Sequence, residues 1–330
     1  AADVRLDNGV FRIANWTPAN EVSVYVDSSA ADVPLSGTRQ VSGSEMVFTP
    51  RYGLSAGVRY KVVITAPGRT PITRFVETPK ADMTPKTAIE HVYPSANNLP
   101  ENQLKFYIHF SDSMSRGEAY QRIHLLDESG KPTAMPFLEL EQELWDPDAQ
   151  RFTLFFDPGR IKRDVLPNQQ MGPSIVAGHK YTLVIDQEWK DAEGRQLKSG
   201  FRKEFSVGPA DRKPLDVKSW KISPPASGGS LALAVDFPEP LDHALMLRQF
   251  EVVDPSGKVV AGTADAERDE TRWTFKPSTV WKPGEYGLRV GTIISDLAGN
   301  MIDRPFEIDL FDTVTERVTR ETRIIPFTIR

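Results

Sequence analysis

Two short loops place acids and amides at matching points of the chain, "KDAEGR" at 190–195 and "SDLAGN" at 295–300. Asp191 with Glu193, or Asp296 with Asn300, offers oxygen ligands of the kind calcium takes. Calcium draws on about six to eight oxygens, and a dedicated calcium loop spreads its acids over about twelve residues. Two ligands in six residues fall short of that. The same residues fit an Asx-type turn, in which the Asp accepts backbone N–H bonds and Gly194 or Gly299 takes a positive φ. The corresponding bend near Gly68, "APGRTP", has no acid. The turn reading is therefore preferred. No cofactor is expected, and calcium at Asp191, Asp296 and Asn300 is the one cation these loops could take.

A denser group of carboxylates lies in "LELEQELWDPD" (138–148), with Glu139, Glu141, Glu143, Asp146 and Asp148. Glycoside hydrolysis uses two carboxyl groups about 5–10 Å apart, one with a raised pKa. Glu139, Glu141 and Glu143 instead fall on every second residue, interleaved with Leu138 and Leu140. That spacing predicts the solvent face of a half-buried strand. The five histidines, His91, His109, His124, His179 and His243, show no HxH or HExxH spacing, which sets a zinc site aside. There is no GxSxG elbow. The strings "SGSE" (42–45) and "SGGS" (227–230) lack the length and lysine of a phosphate loop. No grouping of residues predicts catalysis.

Ligand binding has two footholds. Trp145 and Trp189 sit in loops and are better placed than the strand residue Trp273 to stack on a sugar ring, although packing remains the preferred reading. From Thr153 to Tyr181 is 28 residues, against 12 from Thr274 to Tyr286. The surplus lies in "DPGRIKRDVLPNQQMGPSIVAG" (157–178), where Arg160, Lys162 and Arg163 form a positive cluster suited to an acidic partner. Loops on rigid sandwiches are where binding tends to reside. The alternative is a loop that caps a sheet end or packs on a neighbouring unit.

The elements that must position these residues are short. Alternating runs such as "EVSVYV" (21–26), "QLKFYIHF" (103–110), "RFTLFF" (151–156), "KYTLVI" (180–185), "LALAVDF" (231–237) and "RWTFK" (272–276) are bounded by Gly, Pro or Asp and predict strands. With 26 Pro and 22 Gly, few stretches sustain a helical period. "RGEAYQRI" and "DHALMLRQF" each predict one helical turn. The turns at Glu128–Gly130 and Pro255–Gly257 predict hairpins, with Asp127 and Asp254 bonding nearby backbone N–H groups.

These runs recur three times. An aromatic-Thr strand leads through a Gly turn to a Tyr-led alternating strand at Tyr60, Tyr181 and Tyr286, and the unit closes on a strand carrying Phe75, Phe205 or Phe306. From Tyr181 to Asp191 and from Tyr286 to Asp296 the distance is ten residues in each case. With its F-(S/P)-(D/E)-x-(M/L), D-x-S-G-K, Y-x-L-x-(V/I) and D-x-A-G-N motifs, the chain resembles bacterial immunoglobulin-like domains of the S-layer-protein type. The motifs run over about 90–208 and 218–310. The first unit is nearer a generic fibronectin-like sandwich. The expected fold is all-β, with three tandem immunoglobulin-like antiparallel sandwiches in an elongated arrangement. They occupy 1–80, 81–210 with the insertion at 157–178, and 211–312, and 313–330 supplies an extra strand.

Forty basic residues against 45 acidic ones, scattered in sign, argue against nucleic acid as a partner. The absence of cysteine removes disulfides and thiol chemistry. No run of about 18 apolar residues spans a bilayer. The opening "AADVRLDNG" resembles the residues just past a removed signal, with a trimmed lipid-anchoring cysteine as an option. The resemblance implies a non-enzymatic, exported cell-envelope protein with a structural, adhesive or ligand-display role, meeting protein or glycan at the cell surface. The alternatives are a carbohydrate-binding module and a subunit of a surface assembly. In the latter, "TRIIPFTIR" (322–330) donates a strand to a partner; the alternatives are that it packs back on an earlier unit or begins a fourth element.

Overall fold

The computed structural model describes residues 3–28, 33–161, 171–306 and 322–330. The chain divides into two compact units, Ala1–Met83 and Thr84–Arg330. The first holds one β-sandwich and the second holds two.

In the first unit, strands β1 (Asp3–Asp7), β2 (Val10–Ala14), β3 (Glu21–Val26), β4 (Gly37–Ser42), β5 (Glu45–Pro50), β6 (Arg59–Thr65) and β7 (Ile72–Glu77) form two sheets, β1-β2-β5-β4 and β3-β6-β7. Alternation decides the faces. Val22 and Val24 of β3, Tyr60, Val62 and Ile64 of β6, and Phe11 and Ile13 of β2 all point inward and are buried. Each such side chain contributes about 1.5–3 kcal/mol by leaving water.

The second unit repeats the plan twice. Its first sandwich pairs β12 (Arg151–Phe155), β10 (Lys105–Phe110) and β8 (Ile89–Tyr93) in one sheet. The other sheet runs β11 (Ile123–Asp127), β13 (Lys180–Ile185), β14 (Phe201–Gly208) and β9 (Asn98–Pro100). The next sandwich pairs β15 (Lys221–Ser223), β16 (Leu233–Asp236), β19 (Arg272–Pro277) and β18 (Gly262–Glu267). They face β17 (Phe250–Val253), β20 (Gly284–Gly291) and β21 (Thr322–Ile329). The three-strand orders β5-β2-β1, β12-β10-β8 and β19-β16-β15 correspond, as do β3-β6-β7, β11-β13-β14 and β17-β20-β21. The same sandwich is built three times, in the immunoglobulin-like layout of facing sheets, antiparallel except where β9 pairs with β14 in parallel.

The predicted hairpins form as expected. One carboxylate oxygen of Asp127 accepts from the Ser129 N–H, the Ser129 hydroxyl and the Lys131 N–H, and Asp254 repeats this with Ser256 and Lys258. The two helical turns are α1 (Ala119–Arg122) and α3 (His243–Gln249), with a further turn, α2 (Pro158–Ile161), between them. Asp242 caps α3 by accepting from the Leu245 N–H.

Three expectations are corrected. Residues 138–143 are not a strand. Leu138 donates to the Phe155 carbonyl, but the chain then leaves the sheet edge, and Glu143 turns inward to accept from the Gly117 and Ala119 N–H groups and the Trp145 indole. A carboxylate at a helix start answers the unpaired N–H groups there, which the alternation could not reveal. The closing strand of the third sandwich is β21, not the segment carrying Phe306. Phe327 stands opposite Tyr286 and stacks on it at 5.8 Å, as Phe205 does on Tyr181 at 6.0 Å, whereas Phe75 of β7 is 48% exposed. Finally, "TRIIPFTIR" is taken up within its own chain along the full length of β20, burying Phe327 and Ile329. Pro326 does sit on the edge strand of its sheet, where a missing N–H is tolerated.

Candidate functional site

The two Asx loops are both built as turns, and both acids are buried, Asp191 at 1% and Asp296 at 4% exposure. Asp191 Oδ1 accepts from the Glu193 and Arg195 N–H groups, and Asp296 Oδ1 from those of Ala298 and Asn300. Gly194 and Gly299 take φ of 81° and 87°. The second oxygens differ. On Asp191 it receives the Arg195 guanidinium at 2.8 Å and the Thr87 hydroxyl at 2.9 Å, whereas on Asp296 it receives the Asn300 amide at 2.8 Å. Burial alone would raise the Asp191 carboxyl, but the bonds from Arg195 and Thr87 outweigh it and hold the group below the usual carboxylate range. Burial pushes Asp296 up to about 7. The Asn300 bonds work against that rise, and the negative charge of Asp211 adds to it. One residue, Arg195 in one loop and Asn300 in the other, separates an ion-paired carboxylate from one whose hydrogen-bond donors are all neutral.

Asp296 has company that its loop does not contain. Carboxylate oxygens of Asp211, Glu239 and Asp296 lie within 4.8 Å of one another. Asp211 comes from the linker between the second and third sandwiches. It is held there by Asn102, which accepts from its N–H at 2.8 Å and donates to its carbonyl, and by the Asn300 amide at 3.1 Å from the same carbonyl. Burial, a hydrogen bond with Asp211 and the charges of Asp211 and Asp296 push Glu239 up to about 8, with Lys213 opposing. Three crowded carboxylates of this kind either share protons near neutrality or surround a hard cation. Of the expected calcium ligands, only Asp296 has this setting. Asp191 is already matched by a guanidinium, and the Asn300 side-chain oxygen accepts from the Phe306 N–H.

The residues around this cluster join two sandwiches. Phe306 and Leu297, from the third sandwich's part of the chain, are buried in the hydrophobic core of the second, and the Leu104 N–H donates to the Leu297 carbonyl at 2.9 Å. Leu215 of the linker bridges to Ile302 in parallel. Asp242 accepts from Lys105 at 2.8 Å and from the Tyr107 hydroxyl at 3.0 Å, while burial and that carboxylate push the Tyr107 phenol up. Glu270 accepts from the Ser95 N–H and hydroxyl, each at 2.8 Å. The seam is thus apolar at Phe306 and Leu297 and ionic beside them.

The expected ligand footholds sit elsewhere. Trp189 is not an exposed platform. It is fully buried and packs edge-on against Phe110, Trp145 and Phe152 at 5.2–6.0 Å, because its loop folds back over the sheet. Trp145 is half-buried against the same rings. Arg160 is also not part of an exposed cation cluster. Its guanidinium is 5% exposed and donates to the carbonyls of Ala134, Met135, Gly172 and Pro173, tying the insertion to the sandwich. Lys162 and Arg163 lie outside the described residues. Sequence reasoning missed Asp211 and Glu239. Each stands alone beside prolines, in "PADRKP" and "FPEPL", and only the fold brings them to Asp296.

No protein-family model matches the chain, and no curated protein matches it. Among solved structures it is similar to the FN1–FN3 domains of chicken CNTN1, at 11% identity over 100% of this chain and 98% of that one, with a TM-score of 0.22. It is similar to the BSP domain of a biofilm associated protein, at 8% identity over 99% and 65%, with a TM-score of 0.23. It is also similar to SGBP-B of the Bacteroides ovatus mixed-linkage glucan utilization locus, at 12% identity over 89% and 60%, with a TM-score of 0.20. At these TM-scores the likeness carries no argument, and the fold rests on the strand pairing. Among the described residues no helix is long and apolar enough to cross a membrane.

Proposed function

We propose that this is a non-enzymatic, exported cell-envelope protein with a structural, adhesive or ligand-display role, in which the second and third sandwiches act as one stiff spacer. The observation that carries the reading is the placement of Leu297 and Phe306 in the core of the second sandwich. A hinge between independent modules would leave such residues at a polar, rim-like contact. The ionisable groups with the most altered settings, Asp296, Glu239, Tyr107 and His109, gather along this seam and not around an open cavity. The motif resemblance to S-layer-type domains supports export, with protein or glycan at the cell surface as the partner.

The test is a binding screen of the intact chain against envelope polysaccharides and surface proteins, run beside a panel of hydrolase and transferase substrates. Saturable binding without turnover is expected. Turnover of any substrate overturns the reading.

A further inference from the structure

The seam between the second and third sandwiches contains a second cluster, made of imidazoles. His243, the first residue of α3, stacks on Tyr93 at the end of β8, with ring centroids 3.4 Å apart and planes within 12°. The edge of the His109 ring on β10 meets the same Tyr93 at 5.3 Å and His243 at 6.3 Å. His243 is 8% exposed, and neither its Nδ1 nor His109 Nε2 has a hydrogen-bond partner among the described residues. Buried polar atoms are rarely left so.

The groups facing this cluster come from every element around it. His91 on β8 and Arg151 on β12 flank His109 in register. Asp146 is the acid that acts on it, and more weakly than these cations. On the third sandwich's side, His243 Nδ1 is 3.5 Å from the Glu270 carboxylate, Asp265 acts on Tyr93, and Arg248 of α3 acts on Tyr107. Lys105 and the adjacent Asp242 pair with each other, and Glu270 and Asp269 act on Lys203 of β14, which donates to the Ser95 carbonyl. Glu270 reaches the seam from a turn in which Arg268, Asp269 and Glu270 all take positive φ, 51°, 53° and 62°, with no glycine among them. Such a conformation is strained for residues other than glycine and persists where the surroundings hold it.

We propose that this cluster is an acid-sensitive latch: it holds the second and third sandwiches together while His109 is neutral and releases them when His109 is protonated, each sandwich keeping its strands. A charge on His109 meets Arg151 and His91 of its own sandwich in a site that His243 closes from across the seam, and parting the sandwiches opens that site to water. Burial, then His243, Arg151 and His91, bring His109 down to about 4. A group lowered in this way stabilises the closed form above its ordinary value of about 6.5 and loses that contribution as pH falls towards 4. The inference rests on the stiff-spacer reading, since a latch requires a closed seam at neutral pH.

The chain lacks cysteine, so dyes can be placed cleanly at Lys131→Cys and Lys258→Cys, which are exposed on matching hairpins of the two sandwiches. Energy transfer in the full chain is followed from pH 7.5 to 4.0, with circular dichroism on the same samples. The expected result is loss of transfer on acidification with strand content retained. His109→Gln and His243→Gln, made separately, each move the midpoint down by about one pH unit or more. Transfer constant to pH 4.0 overturns the latch, as does an unshifted midpoint in both variants or loss that coincides with unfolding. Transfer already variable at pH 7.5 overturns the stiff-spacer reading instead.

Discussion

Substituting Gly299 by alanine isolates the contact across the seam. Gly299 has φ +87°, and a Cβ there would stand 2.8 Å from Phe306 Cδ2 and 2.9 Å from Leu104 Cδ2. Two costs add. A non-glycine residue in the left-handed region costs about 1–2 kcal/mol, and an extra carbon forced into a packed core costs about 1–3 kcal/mol. Gly257 supplies the control, because it has φ +83° with nothing within 4 Å of a new Cβ. Gly257→Ala should therefore cost about 1–2 kcal/mol, and Gly299→Ala about 2–5 kcal/mol. The excess belongs to the seam. Hydrogen exchange reads it locally, because the Leu104 N–H is bonded to the Leu297 carbonyl across the junction. Peptides covering Leu104 should exchange faster in Gly299→Ala and unchanged in Gly257→Ala. Equal denaturation midpoints and equal exchange in the two variants would refute the argument, since Phe306 and Leu104 would then be yielding at no cost.

Glu239 and Asp296, raised to about 8 and about 7, hold protons in the folded chain that the unfolded chain releases near pH 4. Stability is then full below pH 4 on their account and is lost as pH rises through 7 and 8, the reverse of an ordinary ion-paired carboxylate. Glu239→Gln should flatten that alkaline fall in melting temperature. The scan is run with and without calcium, because a cation among the three carboxylates would remove the fall in the wild type. Arg160→Met strands four carbonyls and should cost about 2–4 kcal/mol in urea denaturation, with faster proteolysis within 157–178, and Arg160→Lys should not restore it. Deleting residues 322–330 removes Phe327 and Ile329 from the third core, at about 3 kcal/mol or more apiece. Nuclear magnetic resonance should show the third sandwich unfolded; an intact third sandwich with only a changed solution mass would contradict that.

Much of the fold is written in local signals. Strands at Glu21–Val26 and Lys180–Ile185 coincide with the alternating runs, and the hairpin acids Asp127 and Asp254 bond as their spacing predicts. Period-2 patterning and turn chemistry are short-range and survive in any setting. What failed depended on distant partners. Glu143 has the spacing of a solvent-facing residue, yet it serves the N-terminal turn of a helix more than twenty residues earlier. Phe306 matches Phe205 along the chain, yet it leaves its own sandwich for the neighbouring one. The carboxylate cluster shows the limit most plainly. Asp296 was legible as a turn former. Nothing local marks Asp211 or Glu239 as its neighbours.

The lending of Phe306 and Leu297 to the second sandwich bears on how the chain is made. The second sandwich has all its strands once residue 208 has emerged, but two members of its core are synthesised almost a hundred residues later. The third sandwich cannot close until its last strand, Thr322–Ile329, is available. Domains emerging from a ribosome ordinarily fold in order from the N-terminus. Here the first sandwich can do so, while the second gathers its strands early but completes its core only when Leu297 and Phe306 arrive, and the third closes only once Thr322–Ile329 has emerged. A chain stalled short of residue 322 would carry an open sheet edge, with its aromatic Tyr286 uncovered, to whatever receives it.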